Sequence, residues 1–181
     1  ACGFQSFGGK LWLMGGVNGG TQLQDIWSSE DGTHWTLGPG VFPWYARSHM
    51  ALLGFDGALW LIGGADTVGM RQDVWRTVDG RQWELVTEHA PWAARRGHRV
   101  VVWNHKLWLL GGSDGHTEFN DVWCSADGKE WTRLTAATIW KERHELSALV
   151  FQDKIWIFGG HAKPLSNEVW SLDIPKDWFK D

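Results

Sequence analysis

Three arginines set 48 residues apart, Arg47, Arg95 and Arg143, carry the clearest chemical signal in this chain of 181 residues. Each closes a similar segment: Pro43-Trp44-Tyr45-Ala46-Arg47, Pro91-Trp92-Ala93-Ala94-Arg95 and Ile139-Trp140-Lys141-Glu142-Arg143. A guanidinium is a planar fork of donors that grips a carboxylate or phosphate through two parallel hydrogen bonds. Three converging forks would make an anion-binding ring. The same spacing suits a structural use, in which each arginine meets an acid or an indole of a neighbouring unit. The residues that follow differ between copies: Ser48-His49, Arg96-Gly97-His98 and His144-Glu145. Variation at a fixed place is where a binding surface carries its specificity. The ligand-contact candidates are therefore Arg47, Arg95 and Arg143, Trp44, Trp92 and Trp140 beside them, and His49, Arg96, His98, His144 and Glu145. Arg143, His144 and Glu145 also combine the groups that acid–base chemistry on an acidic substrate requires. The eight histidines show no ligand spacing and no HExxH pattern, so no metal or cofactor is expected.

The elements that must position these groups repeat at the same interval. Residues 10–16, Lys-Leu-Trp-Leu-Met-Gly-Gly, return with small changes at 58–64, 106–112 and 154–160. A fixed period of this size marks stacked units that cannot bury their apolar faces singly. Fifteen of the 16 tryptophans obey it; Trp103 alone replaces the phenylalanine of the other copies. Trp27, Trp75, Trp123 and Trp170 each follow an acid and an aliphatic residue, the acids being Asp25, Asp73, Asp121 and Glu168. Trp35, Trp83, Trp131 and Trp178 come eight residues later. The recurrent acid reads as an acceptor for turn amides.

Short segments rich in aliphatic and aromatic residues between turn signals read as strands. In the second unit they fall at about 50–55, 58–62, 73–77 and 82–86. Asp56-Gly57 is a two-residue hairpin turn, and Asp31-Gly32, Asp79-Gly80 and Asp127-Gly128 mark a second turn in three units. In the fourth unit that turn becomes Ile174-Pro175-Lys176-Asp177. The glycine pairs Gly15-Gly16, Gly63-Gly64, Gly111-Gly112 and Gly159-Gly160 let the chain leave the second strand where backbones crowd. Four antiparallel strands repeated radially make a propeller blade. The expected fold is all-β, with four blades at about 1–38, 48–87, 96–135 and 144–181.

A glycine pair, a spacer, two aromatics and an arginine before the next strand resemble the kelch repeat. The resemblance runs through all four units, and the Asp-Gly-x-x-Trp ending is similar to tryptophan-rich bacterial kelch repeats. It implies that the loops between fourth and first strands, and between second and third, share one face where ligands are met. It further implies non-catalytic binding of a protein, peptide or glycan. The alternatives are mutarotase-like chemistry on an acidic sugar, using Arg143, His144 and Glu145, and a self-assembling propeller fragment. The copper-oxidase site of this fold needs two tyrosines, and Tyr45 is the sole tyrosine.

A net charge of -4 gives no basic footprint for nucleic acid. No apolar run approaches the roughly 18 residues of a membrane span. The cysteines, Cys2 and Cys124, fall on different units and are expected to be unpaired. Ala1 aligns with His49, Gly97 and Glu145, and Asp181 with Leu134, so the chain holds four whole units. These can close on themselves, continue a longer array, or pair with a second copy as half-rings; exposed end faces favour a homo-oligomer, at simplest a homodimer.

Overall fold

A computed structural model describes residues 2–39, 42–135 and 139–174. It is built of small antiparallel sheets. The first blade contains β1 (Gly3–Phe7), β2 (Lys10–Asn18), β3 (Thr21–Ser29) and β4 (Thr36–Leu37). The second has a short β5 (Arg47–Ser48), then β6 (Ala51–Phe55), β7 (Ala58–Asp66), β8 (Met70–Thr77) and β9 (Glu84–Thr87). The third holds β10 (Arg99–Trp103), β11 (Lys106–Ser113), β12 (Glu118–Ser125) and β13 (Thr132–Arg133). The fourth holds β14 (Ser147–Phe151), β15 (Lys154–Phe158) and β16 (Val169–Leu172). Trp178, the Pro175-Lys176-Asp177 part of the last turn, Ala1 and Asp181 lie outside the described residues.

In the second blade the strands expected at 50–55, 58–62, 73–77 and 82–86 are observed at Ala51–Phe55, Ala58–Asp66, Met70–Thr77 and Glu84–Thr87. In β7 all nine residues are buried, as expected for a strand covered on both faces. Asp56 and Gly57 close the β6–β7 hairpin with φ of 45° and 69°, the positive pair of a two-residue turn. The first three glycine pairs each produce a register shift, between Met14 and Gly16, Ile62 and Gly64, and Leu110 and Gly112. The shift is a β-bulge that bends the strand away from the sheet.

Trp12, Trp60 and Trp108 fill the seams between blades. The Trp60 ring lies against Gly128 of the next blade's turn, where a Cβ would come within 2.2 Å of it. Gly80 stands in the same relation to Trp12. The glycine of each Asp-Gly turn thus serves a positive φ and a close approach together. These seams are continuous with three apolar clusters, centred on Trp44, Trp60 and Trp108. Both cysteines are free, Cys124 buried and Cys2 exposed.

The first strands stand side by side in chain order, β1 against β6, β6 against β10, and β10 against β14. Among the described residues no contact of similar extent joins the fourth blade to the first. The outer ends are correspondingly bare. Leu53 in β6 is 6% exposed, whereas Leu149, its counterpart in β14, is 46% exposed.

Candidate functional site

The loop face is organised by a buried polar frame, built on the same plan at each of three junctions. Arg95 is fully buried. Its guanidinium donates to the Gly111 carbonyl at 2.8 Å and, bidentately, to Asp121 at 2.6 and 2.9 Å. Arg47 makes the same contacts to Gly63 and Asp73, whereas Arg143 donates to the Gly159 carbonyl and Ser166 Oγ and reaches Glu168 through one hydrogen bond only. The acid accepts a further bond from the indole two residues on: Trp75, Trp123 and Trp170 donate to Asp73, Asp121 and Glu168, and Trp27 to Asp25. The glycine bulge aims a carbonyl inward, the arginine reaches it from the preceding loop, and the acid neutralises the buried charge. A charge taken out of water demands this full set of partners.

Two expectations are corrected here. The arginines do not converge as an open ring, because every guanidinium is committed inside a blade junction. The recurrent acids serve arginine and indole donors rather than turn amides. Asp121 shows the balance: burial alone would push its carboxyl up, but the Arg95 hydrogen bonds and charge hold it below the usual carboxylate range.

Trp44, Trp92 and Trp140 are corrected likewise, since all three are buried. Trp44 stacks on Phe42 at 5.2 Å and meets Trp83 edge-on at 4.6 Å; Trp92 meets Trp131 edge-on at 5.9 Å. A column of amides that the sequence reading passed over holds their loops. Gln24 donates to the Phe42 and Trp44 carbonyls, Gln72 to Ala90, and Asn120 to Trp140. These residues also stand 48 apart, which is the signal that could have found them. Gln72→Ala is expected to cost about 1 kcal/mol by orphaning the Ala90 carbonyl, read by urea denaturation.

His98 is the last correction among the candidates. It is 2% exposed, and neither ring nitrogen has a bonding partner of normal geometry. It packs beside Trp92 rather than facing a ligand.

His49, Arg96, His144 and Glu145 remain at the surface. His49, Gly97 and Glu145 all adopt positive φ, at 55°, 63° and 53°. The Gly97 amide donates to the His49 carbonyl at 3.0 Å and the Glu145 amide to the Gly97 carbonyl at 2.7 Å. This inner rung ties three successive blades and sets their variable side chains side by side. His49 Nε2 lies 3.5 Å from Glu145 Oε1. Burial, then the Arg96 charge, depress the His49 pKa.

The trio Arg143, His144 and Glu145 is dispersed: Arg143 binds Glu168, His144 binds Glu118 at 2.8 Å, and Glu145 faces His49. In place of that trio, the fold assembles one the sequence reading missed, Glu118, His144 and His161. Toward the outside of the same face, Trp44, Tyr45, Arg71 and His89 line an open cavity of about 380 Å³. Tyr45 is 64% exposed there, with the Arg71 guanidinium 5.9 Å from its ring.

A scaffold whose repeated columns are consumed in a buried frame, and whose surface loops differ blade by blade, is a β-propeller interaction module. Residues 45–180 match the KLHDC2/KLHL20/DRC7 Kelch-repeats domain, and the chain belongs to the kelch-repeat family. No curated protein matches the chain. Kelch propellers are protein-interaction modules in general.

Proposed function

We propose that this propeller binds a protein partner through its loop face, between the inner rung and the Tyr45 cavity. One observation carries the reading. The frame commits its arginines and acids to one another, and equivalent places beside it carry different side chains: Ser48, Arg96 and His144; His49, Gly97 and Glu145, of which Arg96, His144, His49 and Glu145 reach solvent. An exposed tyrosine beside an arginine adds the residue types that dominate binding hot spots. The mixed charges of Arg96, Glu145 and Glu118 suit a polar peptide segment better than a uniformly acidic one. Peptides selected from a random display library on the immobilised chain should bind saturably. Tyr45→Ala and Arg96→Ala should each weaken them by roughly tenfold or more, equivalent to about 1.4 kcal/mol. Selection of no saturable binder, or of binders indifferent to both substitutions, would sink the proposal.

The uncovered end faces favour a second reading, self-association of the chain. In the first three blades the β1, β6 and β10 strands stack on a neighbour, whereas Leu149 and Phe151 in β14 and Phe4 in β1 stay exposed. The two bare faces are the two sides of one repeated interface, so a second copy fits them head to tail. Light scattering across a dilution series is expected to give a mass above 20.5 kDa that falls on dilution; a constant 20.5 kDa rejects this reading and leaves the loop-face reading intact.

A further inference from the structure

We propose that Glu118, His144 and His161 bind a divalent transition metal, zinc by the character of the donors, at the junction of the third and fourth blades. One donor atom from each of the three lies within 4.8 Å of the others. Glu118 Oε2 is 2.8 Å from His144 Nδ1, and Glu118 Oε1 is 3.5 Å from His161 Nδ1. Donors placed about 2.1 Å from a tetrahedral zinc stand about 3.4 Å apart. The widest pair therefore has to close by about 1.4 Å and the tightest to open by about 0.6 Å, turns within reach of the half-exposed His161 ring. Two imidazoles and one carboxylate are the donor set of open zinc sites, which keep a fourth position for water or a ligand.

The backbone holds this arrangement ready. His144 and His161 form an antiparallel bridge, with the His161 amide donating to the His144 carbonyl at 2.8 Å and the reverse bond at 3.2 Å. Their rings lie 4.8 Å apart. Glu118 begins β12 and pairs with Ser113 across its hairpin, which faces its carboxylate toward both rings.

The other junctions show that the fold does not require these residues. Gln22, Ser48 and Ala65 occupy the same three columns between the first and second blades, each 96 residues earlier. There the Gln22 amide donates to Ser48 Oγ at 3.4 Å and to the Ala65 carbonyl at 3.0 Å. Met70, Arg96 and Ser113 hold the columns at the second junction, with Arg96 bridged to Ser113. The frame closes with an amide in one case and a thioether and a guanidinium in the other. Only the third junction, among these three, brings together three side chains that can ligate a metal. A carboxylate with two neutral imidazoles leaves bound Zn²⁺ a net charge of about +1, so its open position would favour an anionic or water ligand on the binding face.

The test is titration of the full chain, carrying Cys2→Ser to remove the exposed thiol, with Zn²⁺ by calorimetry and with Co²⁺ by visible absorption. One Zn²⁺ per chain is expected, with a Co²⁺ spectrum of four- or five-coordinate intensity that Zn²⁺ abolishes. His161→Ala and Glu118→Gln should each weaken binding by roughly tenfold or more, as losses around metal sites do. His161→Cys, which keeps a ligand, should retain it, and His116→Ala on the exposed neighbouring loop should leave it unchanged. Zn²⁺ should raise the melting temperature of the parent but not of His161→Ala, which also verifies that this variant folds. Absence of saturable uptake, or uptake equal in His161→Ala and Glu118→Gln, overturns the assignment.

Discussion

Arg95→Met is expected to lower the unfolding free energy by about 3–5 kcal/mol, the cost of orphaning one partner of a buried ion pair. Arg95 and Asp121 are the most completely enclosed of the arginine–acid pairs, with the arginine side chain at 0% exposure and the acid at 10%. Removing the guanidinium leaves the Asp121 carboxylate and the Gly111 carbonyl short of donors, while the Trp123 indole remains as a lone partner for the acid. Asp121→Asn on its own should also destabilise, since it discharges the group that neutralises Arg95. The double variant Arg95→Met/Asp121→Asn should recover part of the loss, because no uncompensated charge stays buried. Thermal unfolding gives a direct reading: a drop of roughly 6–20 °C for the single arginine variant, at about 2–4 °C per kcal/mol for a chain of this size. A drop below a few degrees would show that the frame is not what holds the junction. Glu168, the partner of Arg143, is half-exposed, so Arg143→Met should cost less than Arg95→Met.

The second large effect concerns acid stability. Burial, reinforced by the Arg95 charge, lowers the His98 pKa to about 3 against the opposing effect of the nearby Ile62 carbonyl. In the unfolded chain the same imidazole titrates near the ordinary value of about 6.5. Below that pH the unfolded state takes up a proton that the folded state refuses, so stability falls as pH falls and levels off only near the folded pKa. From pH 7 to pH 5 this one group should remove about 2 kcal/mol, at about 1.36 kcal/mol per pKa unit. His98→Met should abolish that part of the pH dependence. It should also stabilise the protein at pH 7, since two orphaned ring nitrogens disappear. The slot accepts the change: Met50 and Leu146 occupy the equivalent place against Gly15 and Gly111, as His98 does against Gly63. Urea midpoints of both proteins at pH 7 and pH 5 decide the matter, and parallel shifts in the two proteins would refute it. The depressed carboxylates, Asp121 and Glu168 among them, lose their stabilising effect only at lower pH, below the range of this comparison.

The 48-residue columns were readable because every blade meets the same packing problem. Strand positions, Asp-Gly turns, bulge glycines and the buried tryptophans recur wherever a blade seam must be filled, and an apolar or turn residue reports its environment through its own type. Arginine does not. A guanidinium bound to solvent, to a ligand or to a buried carboxylate is the same letter, and the paired acids stand 26 residues away in the chain. Periodicity therefore places Arg47, Arg95 and Arg143 on the loop face without assigning their use; the depth of burial assigns it. His98 was misread for a similar reason: a histidine in a column otherwise held by Met50 and Leu146 reads as a surface group until its slot is seen to be dry.

By itself, then, the sequence determined the unit, the number of units and the kelch family, because these depend on local period and turn chemistry. The tertiary structure decided which columns touch. It packed Arg95 of one blade against Asp121 of the next, and it joined Glu118, His144 and His161 across 26 and 43 residues of chain. Those meetings depend on the twist and stacking of whole blades, a property of the assembled sheet that no single segment of sequence contains.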